Sequence, residues 1–343
     1  MARTLGLLLN AEYSMSRLAE LGELGESLGY DILWYTDLRL STDCYLGLSV
    51  LAAHTKRVRL GPCVNDPYTR HPAITASAIA TLDELCGGRA VLGLGIGGQG
   101  FGELGLENKL PVAALREAVT VVRGLLAGEQ VDMQGKVVTL NKGRFSFNPL
   151  RKHIPIYFAT HGAQVSKLAG KIADGVLIAN TLLPDVFDGY VKQIDSGLQS
   201  AGKAPDSFDM GLRVEACISE NYEAAFGVMR RRMAHRLMGQ YPRWDYLREL
   251  GVEVPEKFAQ IAARKDDSLI DEAAAAMPPE IVNYTVLAGD VEHVAQQLAG
   301  VLRPEITHLV IRPHKVPGED ITNTIRLFAE EVIPRAHQLS SNT

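Results

Sequence analysis

A (β/α)8 barrel of the TIM type is the fold this sequence predicts, on three observations. Short apolar runs of five to eight residues alternate with longer stretches of helical period, the pattern of βα units in series. Eight such runs occur, most of them apolar enough to be covered on both faces, as parallel strands are. The length of 343 residues suits one barrel, which commonly needs about 250 residues and accepts insertions.

The elements follow in order. LGLLL is the first strand, and Leu18, Leu21, Leu24 and Leu28 recur at three and four in a helix near 14–28. DILWYT leads to an apolar helix near 44–54, and VRLGPCV to a helix opened by Pro72, a residue type favoured in a first turn. AVLGLGI is the fourth strand, followed by a glycine-rich loop and a helix near 111–127. Residues 131–148 are polar and β-prone, and read as a hairpin excursion. IPIYFA with a helix near 163–172 and GVLIAN with a helix near 184–200 resume the alternation. FDMGLRVEACIS is the seventh strand, a helical insertion is expected near 220–280, and HLVIRP is closed by a helix near 319–336. VNYTVLA, 282–288, is a further strand candidate. Residues 1–338 are read as a single barrel domain and 339–343 as a disordered tail.

Composition narrows the function classes. Hydrophobic residues at 46% and charged residues at 22% fit a water-soluble globular protein. With a net charge of −5 and 35 scattered basic residues there is no stripe to track a phosphate backbone, so nucleic acid is not an expected partner. Cys44, Cys63, Cys86 and Cys217 form no metal-binding or disulfide pattern, so no metal is expected and the thiols are read as reduced and cytoplasmic. The N-terminal apolar run is too brief for a membrane span or signal core. The arginines at 230–232 read as a solvated helix face.

Barrel enzymes work where strands end and βα loops begin. Those ends carry Asn10, Asp37, Asn65 with Asp66, Gly95, Gly97 and Gly98, Thr160 with His161, Asn180, and Arg312 with His314. The stretch AVLGLGIGGQGFGELG, 90–105, holds G-x-G-x-x-G twice, yet it does not read as a dinucleotide fingerprint. It follows the fourth strand, FGELGLENKLP separates it from the next helix, and about 20 residues on lies a helix where Glu117 cannot serve as a strand-end ribose ligand. The glycines either let a flat ring approach the backbone or satisfy a loop that needs positive φ.

The segment GPCVNDPYTRHPAITASAIATLDELCGGRAVLGLGIGG, 61–98, resembles the luciferase-like flavin and deazaflavin superfamily. Its N-D-P-Y-T-R-H-P run is most similar to the coenzyme F420-dependent branch that includes methylenetetrahydromethanopterin reductases. THGAQVSKLAGKIADGVLIAN, 160–180, and NYTVLAGDVEHVAQQL, 283–298, fit the same family in order. The resemblance implies a TIM-type barrel, a hydride moved between C5 of the deazaflavin and an organic substrate, and a homodimer. It also implies a non-prolyl cis peptide at Cys63–Val64 supporting the F420 ring from behind. An FMN-dependent monooxygenase, or a flavin-binding relative without a reaction, are the alternatives.

On that reading Asp37 faces ring or substrate, or caps a helix. Asn65 and Asp66 bond the polar edge of the deazaflavin, or form a turn. Thr160, His161, Gly162 and Ala163 present a helix N-terminus to the phosphate of F420, with Asn180 nearby and the helix start at Gly289 and Asp290 ranked below them. Glu103, in the loop after the glycines, is a candidate acid or a solvated glutamate. Arg213 and Arg312 are candidates for an anionic substrate or the cofactor tail. Two departures from the family bear on the substrate. Leu38 stands where dehydrogenase relatives have histidine, and Leu8 where the archaeal reductases place an acid, leaving Glu12 as the nearest stand-in.

Overall fold

The computed structural model describes residues 3–97, 100–160, 162–242, 244, 247 and 251–341. Apolar runs become strands because their side chains can be buried on both faces. Thr4–Leu9 (β1), Ile32–Tyr35 (β2), Arg59–Pro62 (β3), Leu92–Leu94 (β4), Ile156–Thr160 (β7), Gly175–Ala179 (β8), Asp209–Ile218 (β9) and His308–His314 (β11) hydrogen-bond in the order β3-β2-β1-β11-β9-β8-β7-β4. The pairs β1–β2, β2–β3, β4–β7 and β7–β8 are parallel. Two bridges, Leu60 to Ala90 and Asn65 to Leu94, join β3 to β4, so the strand order returns on itself. These are the eight strands read from the sequence. The hairpin is confined to Val131–Gln134 (β5) and Thr139–Gly143 (β6), which pair antiparallel.

Several helices start where the sequence supplies a capping side chain or a proline. Ser14 Oγ accepts from Arg17 N–H ahead of Met15–Ser27 (α1), and Asp43 accepts from Tyr45 and Leu46 N–H ahead of Cys44–His54 (α2). Pro72 opens Pro72–Leu85 (α3) and Pro111 opens Pro111–Leu126 (α4), which buries Leu115, Val119, Val122 and Leu126 along one face. Ala163–Ile172 (α5) and Pro184–Ser200 (α6) have the expected bounds.

The insertion consists of Tyr222–Gln240 (α7), Glu256–Ala263 (α8), Ile270–Ala276 (α9) and Pro279–Thr285 (α10). Residues 282–285 are therefore helical, and only Leu287–Gly289 (β10) pairs, parallel, with β9. Val291–Val301 (α11) follows, capped by Asp290. Ile321–Leu327 (α12), a π-helical turn at Phe328–Val332 and Ile333–Ser341 (α13) close the chain. The expected tail thus begins inside a helix that runs five residues past 336, while residues 342 and 343 lie outside the described ones.

The chain forms two units. The first is 1–178, 190–211 and 307–310, and the second 179–189, 212–306 and 311–343. In the first, Leu8, Ile32, Trp34, Val91, Tyr157, Leu177 and Val310 pack together inside the strands. A half-buried polar group belongs to the same unit: Asp209 accepts from the Tyr157 hydroxyl at 2.8 Å and the Thr307 hydroxyl at 2.6 Å, and lies 3.3 Å from His308 Nδ1. In the second, Met229, Met233 and Leu237 of α7 pack with Phe258, Met277 and Val282, so the insertion has an apolar centre of its own.

Candidate active site

The first unit builds its polar site on the ends of β2 and β3. Asp37, two residues past β2, is half-buried, and its Oδ2 accepts from Asn65 Nδ2 at 2.6 Å. Asn65 Oδ1 accepts from the Tyr45 hydroxyl at 2.7 Å, which fixes the amide so that its nitrogen points at Asp37. Burial raises the Tyr45 pKa well above its ordinary value, so the phenol keeps its proton and the relay keeps its direction. Burial likewise raises the Asp37 pKa, against the opposing effects of the Asn65 hydrogen bond and the Arg70 charge. Arg70 lies 5.1 Å over the Tyr45 ring and 3.4 Å from Asp43.

Asn65 itself is fully buried. Its N–H bonds to Gly93 O at 3.0 Å and its carbonyl accepts from Gly95 N–H at 2.9 Å. Asp66 is committed too: it pairs with Arg39 and accepts from the Tyr68 and Thr69 N–H groups and from the Thr69 hydroxyl. Both residues lie where the sequence reading puts them, with their side chains engaged inside the protein. Asn65 holds Asp37, and Asp66 holds Arg39 and the turn at Tyr68 and Thr69.

Between the two bridges, five residue steps from Leu60 to Asn65 face four from Ala90 to Leu94, the mark of a bulge at the end of β3. The peptide bond Cys63–Val64 within it is cis. The glycines of β4 make room for this bulge. A Cβ on Gly93 would meet the carbonyl oxygen of Pro62, and one on Gly95 would stand 2.6 Å from Val64 Cγ2. Gly97 and Gly100 have positive φ and lie against the Arg39 side chain, whose guanidinium sits 4.0 Å over the Phe101 ring. The glycines therefore serve close approach of protein groups, and Gly98 lies outside the described residues. Cys63, Val64 and Ala159 remain half-exposed, an apolar surface at strand ends.

Thr160 does not cap α5 at its second or third N–H. Its hydroxyl accepts from Gly162 N–H at 3.2 Å, and Gly162 opens the helix with no side-chain cap. Gly162 and Ala163 are exposed, and His161 lies outside the described residues. At the other helix start Asp290 accepts from His293 N–H, so its carboxylate is used as a cap. Glu12 is exposed and accepts from Asn10 Nδ2 at 3.1 Å, and Glu103 is exposed on the turn after Phe101.

The second unit holds a cluster that the sequence reading touched at Asn180, Arg312 and His314 and, in the arginine run, at Arg232. Glu215 of β9 is 1% exposed. Its Oε2 accepts from Arg232 Nε at 2.7 Å and lies 2.8 Å from His314 Nε2. Its Oε1 accepts from Asn180 Nδ2 at 3.2 Å, with Arg236 at 3.7 Å and Arg312 at 3.9 Å. Burial opposes ionisation here, but Arg312, His314 and Arg232 hold the carboxyl well below its usual range. Arg232 belongs to the run read as solvated. Arg231 does pair with Asp271 at the surface, whereas Arg232, one residue on, turns inward. An acid between the apolar residues Val214 and Ala216 was the available signal for Glu215, since such a residue must find cations.

A family model described as luciferase-like monooxygenase matches residues 3–308. The 5,10-methylenetetrahydromethanopterin reductase of Archaeoglobus fulgidus is 32% identical over 317 residues, 91% of this chain and 93% of that protein. The reductase of the same name from Methanolobus tindarius is 40% identical over 210 residues, 61% of this chain and 63% of that protein, so this match spans less than two thirds of that relative. The solved structure of the coenzyme F420-dependent tetrahydromethanopterin reductase from Methanopyrus kandleri matches with a TM-score of 0.85 and 28% identity, over 97% of this chain and 99% of that one. The fold is accordingly an α/β barrel of the TIM type, and the chain belongs to the luciferase-like monooxygenase family.

Proposed function

We propose that the chain is a coenzyme F420-dependent oxidoreductase that moves a hydride between C5 of the deazaflavin and an organic substrate. The observation that carries this reading is Asp37: a half-buried carboxyl with a raised pKa, fixed through Asn65 and Tyr45, at the strand ends beside the β3 bulge. The residues present fit the cofactor. Cys63, Val64 and Ala159 offer an apolar support for a planar ring, and the uncapped α5 start at Gly162 and Ala163, with Thr160, offers N–H groups to a phosphate. When bound, F420 supplies a two-electron carrier, so the protein has to contribute orientation and electrostatics.

Asp37 is the proton-handling group in this scheme. Its raised pKa lets it hold a proton closer to neutral pH than an ordinary aspartate, which is what general acid–base work requires. Glu12 and Glu103, the other carboxyls considered, are exposed. Asn65 and Tyr45 orient Asp37. The Arg39–Asp66 pair holds the Arg39 side chain against Gly97, Gly100 and the Phe101 ring.

Four free cysteines favour a reducing, cytoplasmic setting. Among the described residues no helix is long and apolar enough to cross a membrane. Exposed Leu46 of α2 and Ile74 of α3 supply apolar surface for a homodimer.

Fluorescence titration of the purified protein with F420, and separately with FMN, tests the cofactor. Binding of F420 at tens of micromolar or tighter, with FMN weaker, is expected. A preference for FMN replaces this reading with a flavin monooxygenase, and tight F420 binding without turnover over a broad acceptor panel replaces it with a non-catalytic binder.

A further inference from the structure

We propose that the loops after β2 and β4 form an apolar rim that binds the hydrocarbon body of an uncharged organic substrate beside Asp37. The assignment deepens the redox reading above and rests on it. Five of the ten exposed large hydrophobic side chains among the described residues fall on two short stretches, Leu38 and Leu40 on the first and Leu104, Leu106 and Leu110 on the second. Leu40 is 80% exposed. Apolar surface concentrated in this way marks a place where something apolar binds.

The five leucines are held around one residue, Phe101. The Arg39 guanidinium lies 4.0 Å over the Phe101 ring, which brings its chain neighbours Leu38 and Leu40 to that point. The Phe101 carbonyl accepts from Leu104 N–H at 3.2 Å and from Leu106 N–H at 2.9 Å. Tyr68 meets the Phe101 ring edge-on and donates its hydroxyl to Lys109 O at 2.8 Å, which fixes the chain next to Leu110. Two further observations choose the occupant. Leu40 and Leu110 hold left-handed backbone, at φ 59° and 52°, a conformation that strains a bulky residue and suits glycine better. Exposed leucines kept there at a cost to the fold serve a ligand. Both cations of these stretches are paired, Arg39 with Asp66 and Lys109 with Glu107, and Glu103 adds an exposed negative charge. An anionic substrate is therefore disfavoured, and an uncharged one with an alkyl or ring body fits. Leu38 directly follows Asp37, so a body resting on the rim keeps its reacting end close to that carboxyl.

The probe is a series of 2-alkanones from 2-butanone to 2-decanone, with binding read by displacement of the uncharged dye Nile red, in the presence and absence of F420. Affinity should rise about two- to fourfold per added methylene, as burial of apolar surface requires. Leu104→Ser combined with Leu106→Ser should remove most of that dependence, and Leu85→Ser, at the exposed end of α3, should leave it unchanged. Leu40→Gly should weaken 2-decanone at least about threefold, while its urea unfolding midpoint stays level or rises because glycine accepts the left-handed backbone. A lower midpoint with unchanged binding makes Leu40 a residue of the fold and counts against the rim. Absence of chain-length dependence in wild type, or equal dependence in the double serine variant, overturns the proposal. Sedimentation equilibrium covers the other occupant: dimers that dissociate in the double serine variant, with alkanone binding intact, assign the rim to a second copy of the chain and overturn the substrate assignment. A wild type that shows the chain-length dependence but binds no F420 sinks the redox reading instead, and the rim stands as an apolar binding site.

Discussion

The fit between the β3 bulge and the glycines of β4 can be tested by adding single methyl groups. Neither Gly93 nor Gly95 has a positive φ, so alanine at either position acts through contact alone. At Gly95 the new Cβ would stand 2.6 Å from Val64 Cγ2, with the next neighbour, Ala159 O, at 3.5 Å. At Gly93 it would meet the main-chain oxygen of Pro62, which no side-chain change can withdraw. Overpacking of this kind costs about 1–3 kcal/mol. Val64→Ala removes the obstructing methyls from Gly95 and by itself costs about 1 kcal/mol, two half-buried methyl groups. Gly95→Ala combined with Val64→Ala is therefore expected to be more stable than the sum of the two by about 1–2 kcal/mol. Gly93→Ala should keep most of its cost in the Val64→Ala background. Urea unfolding of the five variants against wild type gives both couplings. Additivity of the Gly95 pair within about 0.4 kcal/mol, or equal rescue of Gly93→Ala, would refute the claim that these glycines exist to admit the bulge.

Further outcomes follow from the titrating and buried groups. Asp37→Asn should lower kcat about 10²–10³-fold with little change in the acceptor KM. As an acid Asp37 works only when protonated, so in the reductive direction kcat should fall as pH rises through its raised pKa, and a kcat profile that keeps this limb in the Asn variant rules Asp37 out. Arg151→Met strips Asp83, fully buried, of contacts at 2.9 and 2.5 Å, and should cost about 3–5 kcal/mol in urea unfolding, reduced when Asp83→Asn is added. Although burial opposes it, the Asp209 pKa is lowered from 3.8 to about 2 by His308, Thr307 and Tyr157. The Asp209 carboxylate therefore contributes about 2 kcal/mol of stability above about pH 4, lost as pH falls through about 2, and Asp209→Asn should flatten that acid limb.

The elements were legible where the chain is punctuated. Cys44–His54 has Asp43 before it, and Pro72 and Pro111 mark two helix starts, so their bounds follow from side-chain chemistry alone. Reading failed where packing overrode local preference. Ile281, Val282, Tyr284 and Thr285 carry a strand former's composition, yet Ile281, Val282 and Thr285 are buried on a short helix opened by Pro279, whose partners lie on α7. The candidate site was legible in residue type and strand position, since Asp37 and Asn65 are polar residues at strand ends. It was not legible in pairing: the partners Arg39 and Asp66 are 27 residues apart, and Glu215 and His314 are 99 apart. Nothing local in either stretch announces those bonds.

The carboxyl groups of half-buried Asp37 and buried Glu215 are pushed in opposite directions, and this separates their roles. Asp37 accepts from the Asn65 amide, and desolvation prevails over that bond and the Arg70 charge, so its proton is held more tightly. Glu215 is buried more deeply, at 1% exposure, yet the guanidinium groups around it outweigh the desolvation and keep it charged. A group of the first kind can exchange a proton during turnover, and one of the second kind cannot at any working pH. Environments that drive two titratable groups apart assign one to proton transfer and the other to fixed charge. Glu215 is thereby held as a fixed charge, and Asp37 is the carboxyl whose protonation state can change.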